Sequence, residues 1–224
     1  METMRTRATD LLPSLLLTVL SMVQALALEL LWTRLRESPF LWAGDWGSLL
    51  GWGQVVAMLL GMSVVWLFYV SLVLRFTWLP TVSDSIIPFV IGLLEFTMIE
   101  LMGPESLGPW FYNLALIFAV SPWASQKIFK RARQHEANRE FFEAVSPASM
   151  RDYAPAVAAV AVLALFGMIL QLSGSQGWLA LCGILVAITA LALQIKLLHH
   201  FWTLSLLGPS GAETADSSSP DFDS

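Results

Sequence analysis

One acidic residue, Glu95, lies near the centre of a seventeen-residue apolar segment, Ile86–Met102. A charged side chain at the centre of a lipid bilayer costs from about 3 to more than 10 kcal/mol, so such a residue is usually protonated, paired or facing water. Helical spacing places Glu95 on the same face as Gly92, whose missing side chain leaves a notch there. We therefore expect the carboxyl to face protein instead of lipid.

Two kinds of role are open to a carboxyl in that position. Glu95 could bind a proton or a cation reversibly along a transport path. The structural alternative is a protonated carboxyl that is hydrogen-bonded to a neighbouring helix, with Gln54 or Asn113 as the expected partner. Transporters, enzymes and scaffolds can all contain one such residue, so the sequence leaves both interpretations open.

Two further glutamates, Glu29 and Glu100, lie near the ends of apolar segments. Together with Glu95 they would form an acidic ladder from the outer surface to the middle of a membrane, as an access route for cations requires. The alternative is that they form ion pairs or extend to the headgroup level. Glu95 and Glu100 are five residues apart, about 140° around an α-helix, which argues against a paired-carboxylate catalytic site.

The composition excludes several classes of protein. Of the 224 residues, 56% are hydrophobic and 13% are charged, and the mean hydropathy is +0.67. A typical soluble domain is about 45–50% apolar and about 25% charged, so too few polar side chains remain to cover a water-facing surface. The ten tryptophans and thirteen phenylalanines also exclude a disordered chain. An integral membrane protein is the class that remains.

Motifs for catalysis, metal binding and nucleic-acid binding are missing from the sequence. The single cysteine, Cys182, can form neither an intramolecular disulfide nor a cysteine-based zinc site. His135-Glu136 lacks a second histidine at the spacing of a zinc protease. A net charge of −5 provides no basic face for a polyanion. We therefore expect no cofactor and no nucleic-acid partner, and a membrane-embedded enzyme ranks third among the possible functions.

The apolar segments predict an all-α bundle of about six transmembrane helices. A helix needs roughly 20 predominantly apolar residues to cross the hydrocarbon core of a bilayer. The third and fourth segments are short and are joined by a turn, so a re-entrant pair over residues 86–123 is the alternative. The six segments are Leu11–Trp32, Leu49–Leu74, Ile86–Met102, Leu107–Trp123, Ala156–Leu172 and Trp178–His199.

The lysines and arginines predict how these segments are oriented. Short cytoplasmic loops carry an excess of positive charge. If the loop at residues 125–153 is cytoplasmic, ten of the twelve lysines and arginines lie on that side, and only Arg34 and Arg36 lie outside. Both chain termini are then cytoplasmic, and a plasma or inner membrane is the expected location.

The first apolar segment could also be interpreted as a secretory signal peptide. Arg5 and Arg7 precede it, and Ala25 and Ala27 resemble a cleavage site. The apolar run continues to Trp32, however, which is typical of an uncleaved signal anchor. We favour the anchor, with residues 1–10 as a cytoplasmic N-terminus.

Two polar regions stand apart from the six apolar segments: a loop at residues 125–153, within the bundle of residues 11–206, and a tail at residues 207–224. The loop at 125–153 is basic first and acidic later, and a short helix is predicted to begin at Ser146. A basic stretch beside a membrane attracts anionic lipid at about 1 kcal/mol per charge, and a protein-docking surface is the alternative. Residues 207–224 form an acidic tail that is expected to be disordered and cytoplasmic. The residues expected to attract lipid are Lys127, Lys130, Arg131 and Arg133.

Small residues at helical spacing predict where the helices pack closely. Association of helices in lipid depends on close contact, because the lipid tails are already apolar. The second segment offers Gly53, Ala57 and Gly61 at intervals of four, and the sixth offers Gly183 and Ala187. We expect these stripes to contact neighbouring helices.

Two functional classes follow from the sequence. One is a small transporter or channel for protons, cations or a small solute, in which Glu95 binds and Glu29 and Glu100 line the approach. The other is a non-catalytic assembly or accessory subunit that acts through helix contacts and its cytoplasmic loop. A homo-oligomer or a membrane-protein partner is compatible with either class.

Overall fold

The described residues, 2–144, 153–174 and 177–216, form helices and no β-strand in the computed structural model. The all-α fold expected from the sequence is therefore confirmed. Short 3-10 turns at Pro39–Trp42, Pro104–Ser106 and Glu136–Asn138 occupy the connections. The α-helices are α1 (Glu2–Glu37), α2 (Trp46–Arg75), α3 (Val82–Glu100), α4 (Leu107–Ala132), α5 (Arg139–Ala144), α6 (Ala154–Ser173) and α7 (Trp178–Asp216).

Among the described residues, five helices are long and apolar enough to cross a membrane, one fewer than the six expected. The helix that is not among them is α4, although it has 26 residues. Its sequence includes Pro109, Asn113 and Ser121, whose polar or weakly apolar character lowers the mean hydropathy of the helix. The five helical segments are Arg7–Glu37, Trp46–Arg75, Val82–Glu100, Ala154–Ser173 and Trp178–His199.

Residues 145–152 lie outside the described part of the chain, and of the tail at 207–224 only residues 207–216 are described. The predicted short helix at Ser146 lies outside the described residues. The backbone of residues 207–216 continues α7 to Asp216, where the sequence predicts disorder. A helix that is already formed can add residues without a new nucleation cost. Residues 217–224 lie outside the described part of the chain.

Local signals in the sequence set several helix ends. Asp45 caps α2, because its carboxylate accepts a hydrogen bond of 2.9 Å from the backbone N–H of Ser48. This hydrogen bond also lowers the pKa of Asp45. Gly174 ends α6 in the left-handed conformation, with φ of 59°, which favours glycine.

The long helices pack in a ring around a partly open interior. Helix α1 contacts α3, α3 contacts α4, and α4 contacts α6. The ring continues from α6 to α7 and from α7 to α2, and it closes where α2 contacts α1. Two clusters of buried apolar side chains fill its ends. One surrounds Trp110 and Phe111, and the other surrounds Phe76 and Trp78.

One end of the ring is rich in arginine, and a backbone turn lies at the other. The end that holds the Phe76 cluster also contains Arg75, Arg131 and Arg133, and we call it the basic end. At the opposite end, the turn between α3 and α4 is fixed to α2, because the backbone N–H of Gly103 donates to Gln54 Oε1 at 3.0 Å.

Small residues allow the helices to approach closely at specific points. A Cβ atom on Gly53 would lie 2.7 Å from Ile184 Cγ2 of α7, and a Cβ atom on Gly183 would lie 2.7 Å from the Phe111 ring. Ala57 and Ala187 are fully buried. Gly61, in contrast, has nothing within 4 Å of its Cβ position. Helices α2 and α7 are therefore in close contact near Gly53 and leave open space beside Gly61.

This difference predicts opposite effects for the same substitution on one helix. Gly53→Leu should lower stability by about 1–3 kcal/mol, because its side chain must displace Ile184 in a packed interface. Gly61→Leu should leave stability unchanged or raise it, because the site is open and leucine has the higher helix propensity. Thermal unfolding of the two purified variants, followed by tryptophan fluorescence in the same detergent, measures both effects. Equal losses of stability would contradict the packing described for α2.

Candidate functional site

The Glu95 carboxyl is buried where α1, α2 and α3 meet. The residue is 5% exposed, and its Oε1 accepts a hydrogen bond of 3.2 Å from Nε2 of Gln24 on α1. The same amide nitrogen donates to the backbone carbonyl of Met62 on α2 at 3.0 Å. Gln24 thus links three helices and sets the orientation of the carboxyl group.

The partner of Glu95 is therefore Gln24, whereas the sequence predicts Gln54 or Asn113. Gln54 holds the turn between α3 and α4, as described above. Asn113 Nδ2 donates to the backbone carbonyl of Leu94 at 2.7 Å and joins α4 to α3. Both side chains do bond to backbone groups of neighbouring segments, but neither is hydrogen-bonded to the Glu95 carboxyl.

Gln24 is not among the residues that the sequence singles out, because its side chain is not ionisable. A signal was present, since Gln24 is the only amide side chain in the apolar segment Leu11–Trp32. A buried amide without a partner is costly, so a glutamine in that position calls for one. Its partner is 71 residues away and could not be identified without knowing that α1 and α3 are neighbours.

A cavity lies beside Glu95. It has a volume of about 370 Å³, lies between α2, α3, α4 and α7, and has Glu95 among its lining residues. We call it the Glu95 cavity. Gln24 bonds to Oε1 of this carboxyl, and Oε2 is buried without a hydrogen-bond partner among the described residues.

The wall of the Glu95 cavity is mainly apolar. Glu95 is the only charged side chain among the described residues that line it. Tyr69 also lines it, and the buried Tyr69 hydroxyl has no hydrogen-bond partner among the described residues. The hydroxyls of Ser71, Ser121 and Ser125 bond to carbonyls of their own helices. The apolar walls include Met58, Met62, Val65, Phe68, Leu72, Ile87, Met98, Phe118, Ile128 and Phe129.

The other two glutamates of the expected acidic ladder lie apart from this cavity. Glu29 and Glu100 are both exposed, and neither lines the Glu95 cavity. Gln24 and Glu95 are 71 residues apart in the sequence and are in contact. Glu29 and Glu100 have the same separation, so they lie at a similar level on α1 and α3. The structure therefore brings Glu95 together with Gln24 instead of with the other carboxylates.

A buried ion pair joins α3 to α4 at the basic end. Asp84 is 1% exposed, and Arg131 Nη1 forms an ion pair with its Oδ2. The same oxygen accepts a hydrogen bond of 2.7 Å from the backbone N–H of Thr81, so Asp84 also caps the start of α3. Arg131, which the sequence predicts to contact anionic lipid, is engaged within the protein.

Two other cations of the basic segment lie over aromatic rings. The Lys127 ammonium is 3.7 Å from the centre of the Trp123 ring, and the Arg133 guanidinium is 4.6 Å from the centre of the Phe142 ring. Lys130 is exposed.

An aromatic cluster and one asparagine close the basic end of the Glu95 cavity. The cluster consists of Phe76, Phe129, Phe141 and Phe142, with ring centres 5.1–5.5 Å from that of Phe76. Phe129 also lines the cavity, so the cluster adjoins it directly. Asn138 exchanges two hydrogen bonds, of 3.0 and 2.6 Å, with the backbone of Thr77 and so ties the connection after α2 to the segment after α4.

The described residues contain no group of three or more His, Cys, Asp or Glu side chains that could hold a metal ion. Comparisons with protein-family models, with curated proteins and with solved structures found no match to this chain. Interpretation of the site therefore depends on its own geometry.

The Asp84–Arg131 pair predicts a specific pattern of stability changes. Arg131→Met should destabilise the fold by about 3 kcal/mol, because the buried Asp84 carboxylate loses its cation. Adding Asp84→Asn should recover part of the loss, because the unpaired charge is then absent. Lys130→Met, one residue away and exposed, should change stability by no more than about 0.5 kcal/mol. Titration with SDS in mixed micelles measures these differences, and similar losses for the Arg131 and Lys130 variants would contradict the assignment.

Proposed function

We propose that this chain is a six-span integral membrane protein in which α4 is the sixth span. Its 26 residues are about 39 Å long, which exceeds the roughly 30 Å hydrocarbon core of a bilayer. Two of the residues that lower its hydropathy face the interior, since Asn113 is buried and Ser121 lines the Glu95 cavity. A helix that is largely surrounded by protein does not need a uniformly apolar surface.

In the proposed orientation the basic end is cytoplasmic. Arg75 and Lys130 would then lie at the cytoplasmic membrane surface, where positive residues are enriched. Lys127 over Trp123 would lie at the headgroup level, which is favourable for an indole ring. Both chain termini would be cytoplasmic, in a plasma or inner membrane.

We further propose that the protein transports a small solute and that Glu95 is the binding group. The observation that supports this most strongly is that the two oxygens of the buried Glu95 carboxyl differ in their hydrogen bonding. Gln24 donates to Oε1, whereas Oε2 has no partner among the described residues, and Glu95 is one of the residues that line the cavity. A carboxyl with a purely structural role would be expected to have both oxygens satisfied.

The cavity favours an organic solute over a bare metal ion. Calcium requires six to eight oxygen ligands, and magnesium six, whereas Glu95 is the only carboxylate among the described lining residues. An apolar cavity with one convergent polar group is typical of sites for small organic molecules. The accessory-subunit interpretation remains the alternative outcome of the experiments below.

The span count can be tested through the positions of the two chain termini. Six spans place both termini on the same side of the membrane, whereas five spans, without α4, place them on opposite sides. We expect cytoplasmic reporters fused to either terminus to be active and periplasmic or external reporters to be inactive. An active external reporter at the C-terminus alone would exclude α4 as a span.

Transport can be tested with the purified protein in liposomes on a solid-supported membrane electrode. The probes are short primary amines and quaternary ammonium ions, with neutral alcohols of similar size as controls. We expect a transient current with at least one cationic probe and a decrease of tenfold or more in Glu95→Gln, because the variant loses the charge that pairs with the solute. Glu105→Gln makes the same chemical change at an exposed position and should match the wild type.

Two results would contradict the transport proposal. One is an unchanged current in Glu95→Gln. The other is the absence of current in the wild type, combined with recovery of the protein from its native membrane in a stoichiometric complex, which would favour an accessory subunit.

A further inference from the structure

The Glu95 cavity is elongated along the helices. Its lining extends from Met58 to Leu72 on α2 and from Leu114 to Phe129 on α4. At 1.5 Å per helical residue, both walls are about 20 Å long. The cavity, with a volume of about 370 Å³, therefore suits an extended ligand that lies along the helices.

The charged group among the described lining residues lies near one end of the cavity. Glu95 lies beside Met62, close to the end farther from the basic end. From Met62 to Leu72 the cavity continues for about 15 Å towards the basic end. Most side chains of the wall are apolar, and its other polar residues are Tyr69, Ser71, Ser121, Ser125 and Gln194. The three serine hydroxyls bond to carbonyls of their own helices. A ligand that fills the cavity would therefore have a charged end and a long, mainly apolar body.

The charge of the lining determines which polar end fits. None of the described lining residues is a lysine, arginine or histidine, so an anionic ligand would have no counter-charge and would be repelled by Glu95. A cationic nitrogen can pair with the Glu95 carboxylate alone, because it needs fewer ligands than a metal ion. The rings of Phe68, Phe118 and Tyr69 add faces that attract a cation.

We propose that the Glu95 cavity binds a single-chain amphiphile with one cationic nitrogen, an amine or a quaternary ammonium group, which pairs with the Glu95 carboxylate while the hydrocarbon chain extends towards the basic end. This names the substrate class and rests on the proposed transport site at Glu95. The chain lies against Val65, Leu72, Ile87 and Ile128, and the aromatic cluster limits its length. A dodecyl chain, about 15 Å long when extended, matches the space between Met62 and Leu72.

The experiment measures binding of radiolabelled dodecyltrimethylammonium to the full chain in phosphatidylcholine nanodiscs, with empty nanodiscs as the blank for partitioning into lipid. We expect saturable binding of one molecule per chain. Unlabelled dodecylamine should compete, whereas dodecanol and dodecanoate should not compete at tenfold excess. These competitors share the chain and differ only in the polar end, so they isolate the contribution of the positive charge.

Three variants identify the site. Glu95→Gln should weaken binding at least tenfold, and Glu105→Gln should leave it unchanged. Gly61→Leu should abolish binding without lowering the melting temperature, because the new side chain extends into the cavity where nothing lies within 4 Å of Cβ. This variant keeps the test decisive if Glu95→Gln disturbs folding.

The proposal is overturned if binding is not saturable, if dodecanol competes as well as dodecylamine, or if Gly61→Leu binds as the wild type does. Failure of transport is a separate result. Binding that requires Glu95 but yields no current would reject only the transport function. Currents that require Glu95 for short amines, without binding of the dodecyl probe, would reject only the chain-like ligand.

Discussion

The burial of the Glu95 carboxyl constrains how α1, α2 and α3 pack. A carboxyl among apolar neighbours must find a polar partner, and here the partner is the Gln24 amide on another helix. The bond requires α1 and α3 to be very close, which the missing side chain of Gly92 permits by making room for Val23. Gln24 in turn bonds to the Met62 carbonyl and fixes α2. The polar contact and the close packing therefore depend on one another.

The Glu95 cavity lies between two regions of close helix contact along α2. At one end, Gly53 brings α2 against Ile184 of α7. At the basic end, the Asp84–Arg131 pair and the aromatic cluster join α3, α4 and the segments beside them. Gly61 lies between these two regions and has no neighbour within 4 Å of its Cβ position. The cavity thus adjoins the part of α2 that lies between its close contacts.

In residues 127–133, the number of positive side chains and the contacts of those side chains carry different information. The arginines and lysines of residues 127–133 predict a cytoplasmic end because of their number, and that inference does not depend on what they touch. Their contacts are nevertheless internal in part, since Arg131 pairs with Asp84 and Arg133 covers Phe142. Orientation and stabilisation of the basic end can therefore be provided by the same residues.

The sequence by itself determined the helical class, the approximate limits of the six long helices and the unusual position of Glu95. These are local properties, because apolar runs, charges, glycines and prolines act within a few turns of one helix. The tertiary structure decided which residues meet, including the Gln24–Glu95 bond across 71 residues and the Asp84–Arg131 pair. Gly53 and Gly61 show the physical reason. They occupy the same sequence stripe, yet one is in close contact with Ile184 and the other faces a cavity. Helical periodicity defines a face, but the shapes of all neighbouring helices decide what that face contacts.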